Sequence, residues 1–199
     1  MPVEREPNHR TVFQNDYVQV FRVKLAPGKS TLMHTHTRDD AAVRLSTATT
    51  TSESLGEPPG PATTAQPGSV SARNNAKVPT THRVHNVGTT LFDVLDVQIL
   101  QRPDGADAPP LGPIAAENPQ MRVYRYQLEP GGQASRHSHA RPFLLVAATD
   151  LTFRSKGPNG GLRLLRMKTG DVQWVDAAAT HAFVNGGKAA GILVEIELK

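Results

Sequence analysis

The sequence predicts an all-β protein made of two similar domains, each a sandwich or barrel of short strands. Three observations lead to this prediction: the two halves of the chain share one pattern, apolar residues alternate with period two, and no segment shows capped helical periodicity. Many short strands separated by Gly, Pro, Asn and Asp turns are typical of such folds. A chain of 199 residues has room for two small domains.

An internal repeat is the strongest of these signals. The segments Tyr17–His36 and Gln120–His139 align without gaps, and seven of their twenty positions are identical. The identical pairs are Val20/Val123, Arg22/Arg125, Leu25/Leu128, Pro27/Pro130, Gly28/Gly131, His34/His137 and His36/His139. The offset of about 100 residues is too long for a solenoid unit and suits a domain.

Each half contains the same series of predicted strands. The first strand of each half alternates side-chain character and runs into a Pro-Gly turn. A short apolar run follows each histidine pair, and each half ends on a further apolar strand. In chain order these stretches are 16–25, 41–45, 91–100, 120–128, 142–147 and 191–198.

The composition suggests where the domains begin and end. Residues 1–101 form the first predicted domain and residues 120–199 the second. Between them, residues 102–119 contain five prolines, which indicates a semi-rigid linker. Within the first domain, residues 46–68 are rich in Thr, Pro and Gly, and we expect an extended loop there.

Composition also limits the function. The chain has no cysteine, so any metal ion must be held by nitrogen and oxygen. The net charge of +4 comes from scattered Lys and Arg, and we expect no nucleic-acid partner. The longest apolar runs are too short to span a bilayer, so no membrane partner is expected. The polar start suggests a cytoplasmic protein as given, or a periplasmic or secreted one if a signal peptide was removed.

Six of the eight histidines follow the duplicated pattern: His34, His36 and His82 in the first half, and His137, His139 and His181 in the second. The first two of each set are two residues apart in a predicted strand, so both side chains project from one face. The third would complete a facial set of neutral imidazoles with open positions, which suits Fe, Zn, Ni, Mn or Cu. By parity His85 points away, and His9 lies in a polar segment, so neither is expected to bind metal.

These motifs resemble those of the bicupins, proteins with two tandem cupin domains. The first motif of that family, G-x5-H-x-H-x3,4-E-x6-G, is similar to Gly28–Asp40 and Gly131–Phe143. The second motif, G-x5-P-x-G-x2-H-x3-N, is similar to Gly170–Asn185. The resemblance implies two cupin barrels of the double-stranded β-helix or jelly-roll type, each with inward ligands, a mononuclear metal and a pocket open at one end.

The sequence departs from the family pattern at several positions. In the second half Asp176 and Ala178 replace the usual proline and glycine, and in the first half the upstream glycine must be Gly68, followed by an insertion. The family places a glutamate as fourth ligand where the first half has Asp40, a candidate metal ligand. The second half has Phe143 there, and a phenyl ring cannot bind metal. We therefore expect a three-histidine site without a carboxylate in the second half.

Two classes of function stay open at this stage. The first is a metal-dependent enzyme of dioxygenase, isomerase or lyase type that acts on a small organic substrate, with Asp40 as the candidate catalytic base. In one version of it only one barrel is catalytic, and the first barrel is favoured if its carboxylate binds metal. The second is a non-catalytic protein that binds or stores a metal or small ligand.

Two further expectations concern ligands and assembly. Arg136 and Arg141 flank the second histidine pair and are candidates for steering a carboxylate substrate toward it. Tyr126 is expected to belong to the core. The chain is expected to be a monomer, since two barrels can pair within one chain, or a homodimer formed through exposed sheet edges.

Overall fold

The computed structural model describes residues 1–105, 109–156 and 162–199. The described residues form eighteen strands, one 3-10 helix at Val3–Arg5 and no α-helix. The chain divides into two compact units, Met1–Gln101 and Arg102–Lys199, which we call barrel 1 and barrel 2. None of the described segments is a helix with the length and apolarity needed to cross a membrane.

Barrel 1 consists of nine strands in two sheets. The strands are β1 His9–Gln14, β2 Val18–Leu25, β3 His34–His36, β4 Asp40–Arg44, β5 Ala48–Ser54, β6 Thr63–Ala65, β7 Val70–Arg73, β8 Thr80–Asn86 and β9 Phe92–Ile99. One sheet has the order β1-β2-β9-β4-β7 and the other β3-β8-β5-β6. Apolar residues from both sheets, such as Val23, Ala48 and Phe92, pack into one core between them.

Barrel 2 repeats this arrangement strand for strand. Its strands are β10 Ala116–Asn118, β11 Met121–Leu128, β12 His137–His139, β13 Phe143–Ala147, β14 Leu151–Lys156, β15 Leu162–Met167, β16 Val172–Val175, β17 Ala179–Asn185 and β18 Gly191–Leu198. The sheets run β10-β11-β18-β13-β16 and β12-β17-β14-β15. The core contains Phe143, Phe153 and Phe183. The predicted all-β fold of two jelly-roll units is confirmed.

Two segments expected to be irregular contain strands instead. Within residues 46–68, β5 and β6 pair as a hairpin, so the expected extended loop is confined to the residues between and beside these strands. Its threonines favour extended backbone, which outweighs the loop signal of the nearby prolines and glycines. Within residues 102–119, β10 pairs with β11 and belongs to barrel 2. Residues 106–108 of that segment lie outside the described part of the chain.

The repeated turn and asparagine motifs have the same structural role in both barrels. Gly28 and Gly131 adopt positive φ angles of 74° and 76°, a conformation that favours glycine. Asn86 donates its Nδ2 to the carbonyl oxygen of Leu25 at 2.8 Å, and Asn185 donates to Leu128 at the same distance. Both asparagines therefore tie the end of a histidine-bearing strand to the neighbouring sheet.

Candidate metal centres

The strand register brings the third histidine of each barrel to the first. In barrel 1, β3 pairs with β8 so that His34 lies directly opposite His82. In barrel 2, β12 pairs with β17 so that His137 lies directly opposite His181. Side chains of directly opposed residues project from the same face of a sheet. Each predicted triad is therefore assembled by one strand pair.

The three imidazoles of barrel 1 converge through the same ring atom. The Nε2 of His36 lies 3.1 Å from the Nε2 of His34 and 3.3 Å from the Nε2 of His82. Nitrogens bound about 2.1 Å from one ion at right angles to each other lie roughly 3 Å apart. All three residues are buried. The spacing and burial therefore fit a single transition-metal ion.

The opposite ring nitrogen of each imidazole has its own partner. His34 donates its Nδ1 proton to the carbonyl oxygen of Leu32 at 2.7 Å. The Nδ1 of His82 lies 3.1 Å from the Ser52 hydroxyl, and that of His36 lies 3.2 Å from a carboxylate oxygen of Asp40. Metal-bound histidines usually have such partners, which fix the ring and leave Nε2 for the ion.

The electrostatic environment keeps two of these rings neutral. Burial lowers the pKa of His34 to about 4, and burial together with the charge of Arg73 lowers the pKa of His82 to about 2. Burial also opposes the charged form of His36, but the hydrogen bond to Asp40 and the charge of Asp96 outweigh it and raise its pKa. Because only a neutral imidazole can bind metal, two of the three rings are already in the binding form.

Asp40 lies on the far side of His36 from the converging Nε2 atoms. It contacts Nδ1 of His36 and accepts a 2.7 Å hydrogen bond from the Asn75 side chain. Asp96 approaches the same Nδ1 at 3.6 Å, and burial raises the pKa of Asp96 to about 7. From this side a carboxylate can orient the ring. Direct binding of the ion by Asp40 stays a prediction.

His9, which was not expected to bind metal, lies beside the barrel 1 histidines. Its ring centroid is 4.6 Å from that of His34 and 6.0 Å from that of His36. Nitrogens of these three residues lie within 4.8 Å of one another. Sequence reasoning missed His9 because its segment is polar, whereas its position depends on the pairing of β1 with β2, where His9 is opposite Val23.

The space enclosed by the barrel 1 histidines is small. A cavity of about 40 Å³ is lined by His9, His34, His36 and His82, and also by Arg44 and Arg73. This volume corresponds to an ion with a water molecule or two. A substrate of several carbon atoms does not fit without movement of the lining residues.

The barrel 2 cluster contains a carboxylate as well as three imidazoles. The Nε2 of His181 lies 2.8 Å from the Nε2 of His137. The carboxylate oxygens of Glu195, on β18, lie 2.9 Å from His181, 3.3 Å from His137 and 3.6 Å from His139, measured to Nε2 in each case. The expectation of a site without a carboxylate is therefore wrong. The acid comes from a different strand from the one that carries it in the family motif.

The polar atoms of this cluster are buried and poorly satisfied. Glu195 is 0% exposed, and neither of its oxygens nor Nε2 of His139 makes a well-oriented hydrogen bond among the described residues. Burial opposes the charged form of Glu195, but the three imidazoles outweigh it and hold its pKa well below the ordinary value. The ligand atoms of these four residues lie within 4.8 Å of one another, an arrangement that could hold a cation.

Partners outside the cluster position the barrel 2 rings. The Nδ1 of His139 lies 2.9 Å from the Glu197 carboxylate, and His137 donates its Nδ1 proton to the carbonyl oxygen of Ser135 at 2.9 Å. Phe143 stacks on His139 with a centroid distance of 3.8 Å. Phe143, at the position where the family motif has its acid, therefore packs against the imidazole of His139, which Glu197 orients.

A pocket adjoins the exposed edge of the barrel 2 cluster. It has a volume of about 390 Å³ and is lined by His137, Tyr126, Arg125 and Arg136, among others. Tyr126 stacks parallel to His137 at 5.9 Å, so it contacts the site rather than only the core. Burial and the charge of Glu195 raise the pKa of its phenol, which stays protonated.

Arg141 does not line this pocket. It is buried and donates to the carbonyl oxygens of Pro103, Asp104 and Gly105. It therefore holds the first residues of barrel 2 in place. Of the two arginines proposed to steer a substrate, only Arg136 is among the residues that line the pocket.

Comparisons with known proteins agree with this fold. No family model matches the sequence, and no curated protein matches it. Among solved structures, AerE from Microcystis aeruginosa is similar over 98% of each chain at 10% identity with a TM-score of 0.60. The oxalate decarboxylase of Lactobacillus farciminis, in a formate complex, matches 92% of this chain and 77% of its own, with 13% identity and a TM-score of 0.62.

A third structure is a variant of salicylate 1,2-dioxygenase from Pseudoaminobacter salicylatoxidans. It matches 94% of this chain and 72% of its own, at 9% identity and a TM-score of 0.61. Identities this low establish the fold alone. The chain therefore has the two-barrel fold of the bicupins, as the motifs predicted, and the described residues of each barrel include a histidine-rich cluster that could bind metal.

Proposed function

We propose that this protein is a metal-dependent enzyme whose reaction takes place in barrel 2, on a small anionic organic molecule. The observation that carries the proposal is the convergence of His137, His139, His181 and Glu195, whose ligand atoms lie within 4.8 Å of one another. These residues would hold a divalent first-row transition metal, for which nitrogen and oxygen ligands are suitable. Such an ion, when bound, supplies Lewis acidity.

The pocket beside His137 supports barrel 2 as the reactive one. Its volume of about 390 Å³ lies within the range of small-molecule sites, whereas the cavity of barrel 1 has about a tenth of it. This reverses the sequence-based preference for barrel 1, which depended on Asp40. The proposed substrate would enter beside His137, where the side chain is 10% exposed.

The residues around the pocket suggest what it binds. Arg125 and Arg136 line the pocket and favour a carboxylate or another anion. The protonated phenol of Tyr126 would donate a hydrogen bond to an oxygen of the bound molecule. Among the solved structures of this fold are an oxalate decarboxylase and a salicylate dioxygenase. A small carboxylic acid is therefore our first candidate, and the reaction would be of dioxygenase, lyase or isomerase type.

The test combines metal analysis with turnover. The purified protein is analysed for bound metals and assayed with a panel of small carboxylic acids, thiols and sugars, together with the variants His137→Ala and His34→Ala. We expect each variant to lose its own ion and only His137→Ala to abolish turnover, by at least about 100-fold.

Two results would contradict the proposal. If His34→Ala abolished turnover and His137→Ala did not, barrel 1 would be the reactive one. A metal-loaded protein without turnover on any member of the panel would favour the alternative, a non-catalytic metal-binding or storage protein. The enclosed cavity of barrel 1 is the observation that favours this alternative for that barrel.

A further inference from the structure

The N-terminal segment brings a fourth imidazole to barrel 1. His9 opens β1, and its ring meets those of His34 and His36 edge-on, at interplanar angles of 61° and 69°. The His9 side chain is only 5% exposed. A backbone hydrogen bond of 2.8 Å from Thr35 to the carbonyl oxygen of Met1 holds the same segment against β3, between the two ligand histidines. The position of His9 is therefore built into the fold of barrel 1.

A buried carboxylate fixes the His9 ring. The Nδ1 of His9 lies 2.7 Å from an oxygen of Glu6, whose side chain is 0% exposed. With Nδ1 held by the carboxylate, Nε2 is the nitrogen left for an ion. A carboxylate behind a histidine is a frequent arrangement at metal sites, because it fixes the tautomer and strengthens the ligand.

Glu6 is also connected to the His34 ligand. Its other oxygen accepts a 3.0 Å hydrogen bond from the backbone N–H of Leu32, whose carbonyl oxygen accepts the Nδ1 proton of His34 at 2.7 Å. The same carboxylate accepts hydrogen bonds from the backbone and side chain of Asn8. Glu6 therefore couples the position of the N-terminal segment to that of β3.

We propose that His9 is a fourth ligand of the barrel 1 ion and that Glu6 holds it in position. The inference rests on metal binding by barrel 1, which is part of the function proposed above. It would give the barrel 1 ion four imidazoles: His9, His34 and His36 have ligand atoms close together, and the Nε2 of His82 lies 3.3 Å from the Nε2 of His36. Nitrogen ligands of this kind suit a divalent first-row transition metal. Barrel 2 would hold its ion by three imidazoles and one carboxylate, so the two sites would have the same number of protein ligands and differ in the charge of the ligand set.

Barrel 2 has no counterpart of His9 among its described residues. Its corresponding strand, β10, begins at Ala116, which pairs with Val123. The strand therefore does not extend back to the position that corresponds to His9 in barrel 1. The repeat equivalent of Val23, the residue opposite His9, is Tyr126. The bulky phenol occupies the region where barrel 1 has space for an imidazole. The extra ligand is thus a property of barrel 1 alone.

The experiment titrates Co²⁺ into the apo protein. The full chain carries His137→Ala and Glu195→Gln so that only barrel 1 binds, and Co²⁺ is followed by its visible absorption and by calorimetry. His9→Ala is compared with His85→Ala, since His85 contacts Ser30 and Glu53 on the other face of the sheet. We expect His9→Ala to weaken Co²⁺ binding by about 10- to 100-fold and to change the ligand-field bands, and His85→Ala to do neither.

Glu6→Gln tests the positioning role. We expect a smaller loss of affinity than with His9→Ala, about 10-fold, with ligand-field bands close to those of the parent because all four nitrogens remain. If His9→Ala fails to fold by circular dichroism, His9→Gln, which keeps most of the volume, takes its place with the same expected loss.

The outcomes separate this inference from the proposed function. If the parent binds Co²⁺ in barrel 1 and His9→Ala binds it equally well with an unchanged spectrum, the fourth ligand is refuted, while the reaction proposed for barrel 2 is untouched. If the parent binds no Co²⁺ in barrel 1, both the fourth ligand and the proposed barrel 1 ion are refuted. Turnover by barrel 2 does not enter the measurement.

Discussion

The two barrels share their histidines and differ in where their carboxylates stand. Asp40 of barrel 1 pairs with Gln98 on β9, and at the same place in barrel 2 Phe143 pairs with Glu197 on β18. Two positions before Gln98 and Glu197, barrel 1 has Asp96 and barrel 2 has Glu195. Barrel 2 therefore lacks the carboxylate of Asp40 on the first of these strands and has an additional one, Glu197, on the other.

The difference shows that the role of a carboxylate depends on which nitrogen of the imidazole it approaches, Nδ1 or Nε2. Asp96 approaches Nδ1 of His36 at 3.6 Å and can only influence the ring. Glu195, one methylene longer at the equivalent position, reaches the Nε2 atoms of three histidines. Similar acids at equivalent positions therefore approach the Nδ1 of one imidazole in barrel 1 and the Nε2 atoms of three imidazoles in barrel 2. Four predictions test this difference between the barrels.

The largest expected effect is on stability and concerns Phe143 and Asp40, which occupy equivalent positions in the two barrels. Phe143→Ala removes a fully buried ring and should lower the unfolding free energy of barrel 2 by about 3–5 kcal/mol. Asp40→Ala leaves the buried Asn75 amide without its acceptor and should cost barrel 1 less, about 1–3 kcal/mol. Denaturant unfolding followed by the fluorescence of Trp174, the only tryptophan, reports on barrel 2, and hydrogen exchange reports on barrel 1. Equal costs would contradict the assigned roles.

The second largest difference between the barrels should appear in metal affinity when the carboxylate of Glu195 or of Asp96 is removed. Glu195→Gln takes away an anionic ligand and should weaken metal binding in barrel 2 by at least about 100-fold. The matched variant Asp96→Asn should weaken binding in barrel 1 by about 10-fold or less, because Asp96 lies behind His36. Calorimetric titration of each variant measures both constants. Comparable losses in the two barrels would mean that Asp96 also binds the ion.

The pH dependence of metal binding should also differ. Burial opposes the charged forms of His137 and His139, but Glu195 outweighs it and raises both pKa values, so both rings take up protons at higher pH than an ordinary histidine. In barrel 1, His36 alone has a raised pKa, while His34 is neutral above about pH 4. As pH falls through the raised values, barrel 2 should lose affinity with a slope of about two protons per ion and barrel 1 with about one. Identical slopes in pH-dependent titrations would contradict this.

The smallest effect concerns a turn present only in barrel 2. Ala178 has a φ of 64°, and no other described non-glycine residue has a positive φ. Barrel 1 has Pro79 at the equivalent position, and its ring requires a negative φ. Ala178→Gly should relieve strain and stabilise barrel 2 by about 1 kcal/mol, whereas Ala177→Gly beside it should destabilise by about 0.5–1 kcal/mol. Thermal unfolding followed by Trp174 fluorescence compares the stability of the two variants. A loss of stability in Ala178→Gly would contradict the claim that the backbone at Ala178 is strained.

Much of the fold and the histidine triads could be read from the sequence. Period-two alternation and the repeat suffice because strand faces follow directly from residue parity. Glu195 left a weak signal: together with Glu197 it interrupts the apolar run of β18 with acids two residues apart, on one face. The signal was missed because the family motif directs attention to Asp40 and Phe143. Nothing near His9 in the sequence indicates metal binding.

The sequence by itself therefore determined the elements that depend on local spacing: the strands, the Pro-Gly turns and the paired histidines at i and i+2. Only the tertiary structure decided which side of an imidazole each carboxylate meets, and that His9 joins the first cluster. Ligand sets of this kind combine residues far apart in the chain, and their geometry depends on strand register and side-chain length. Those quantities are fixed when the sheets pair and pack, so short-range patterns do not contain them.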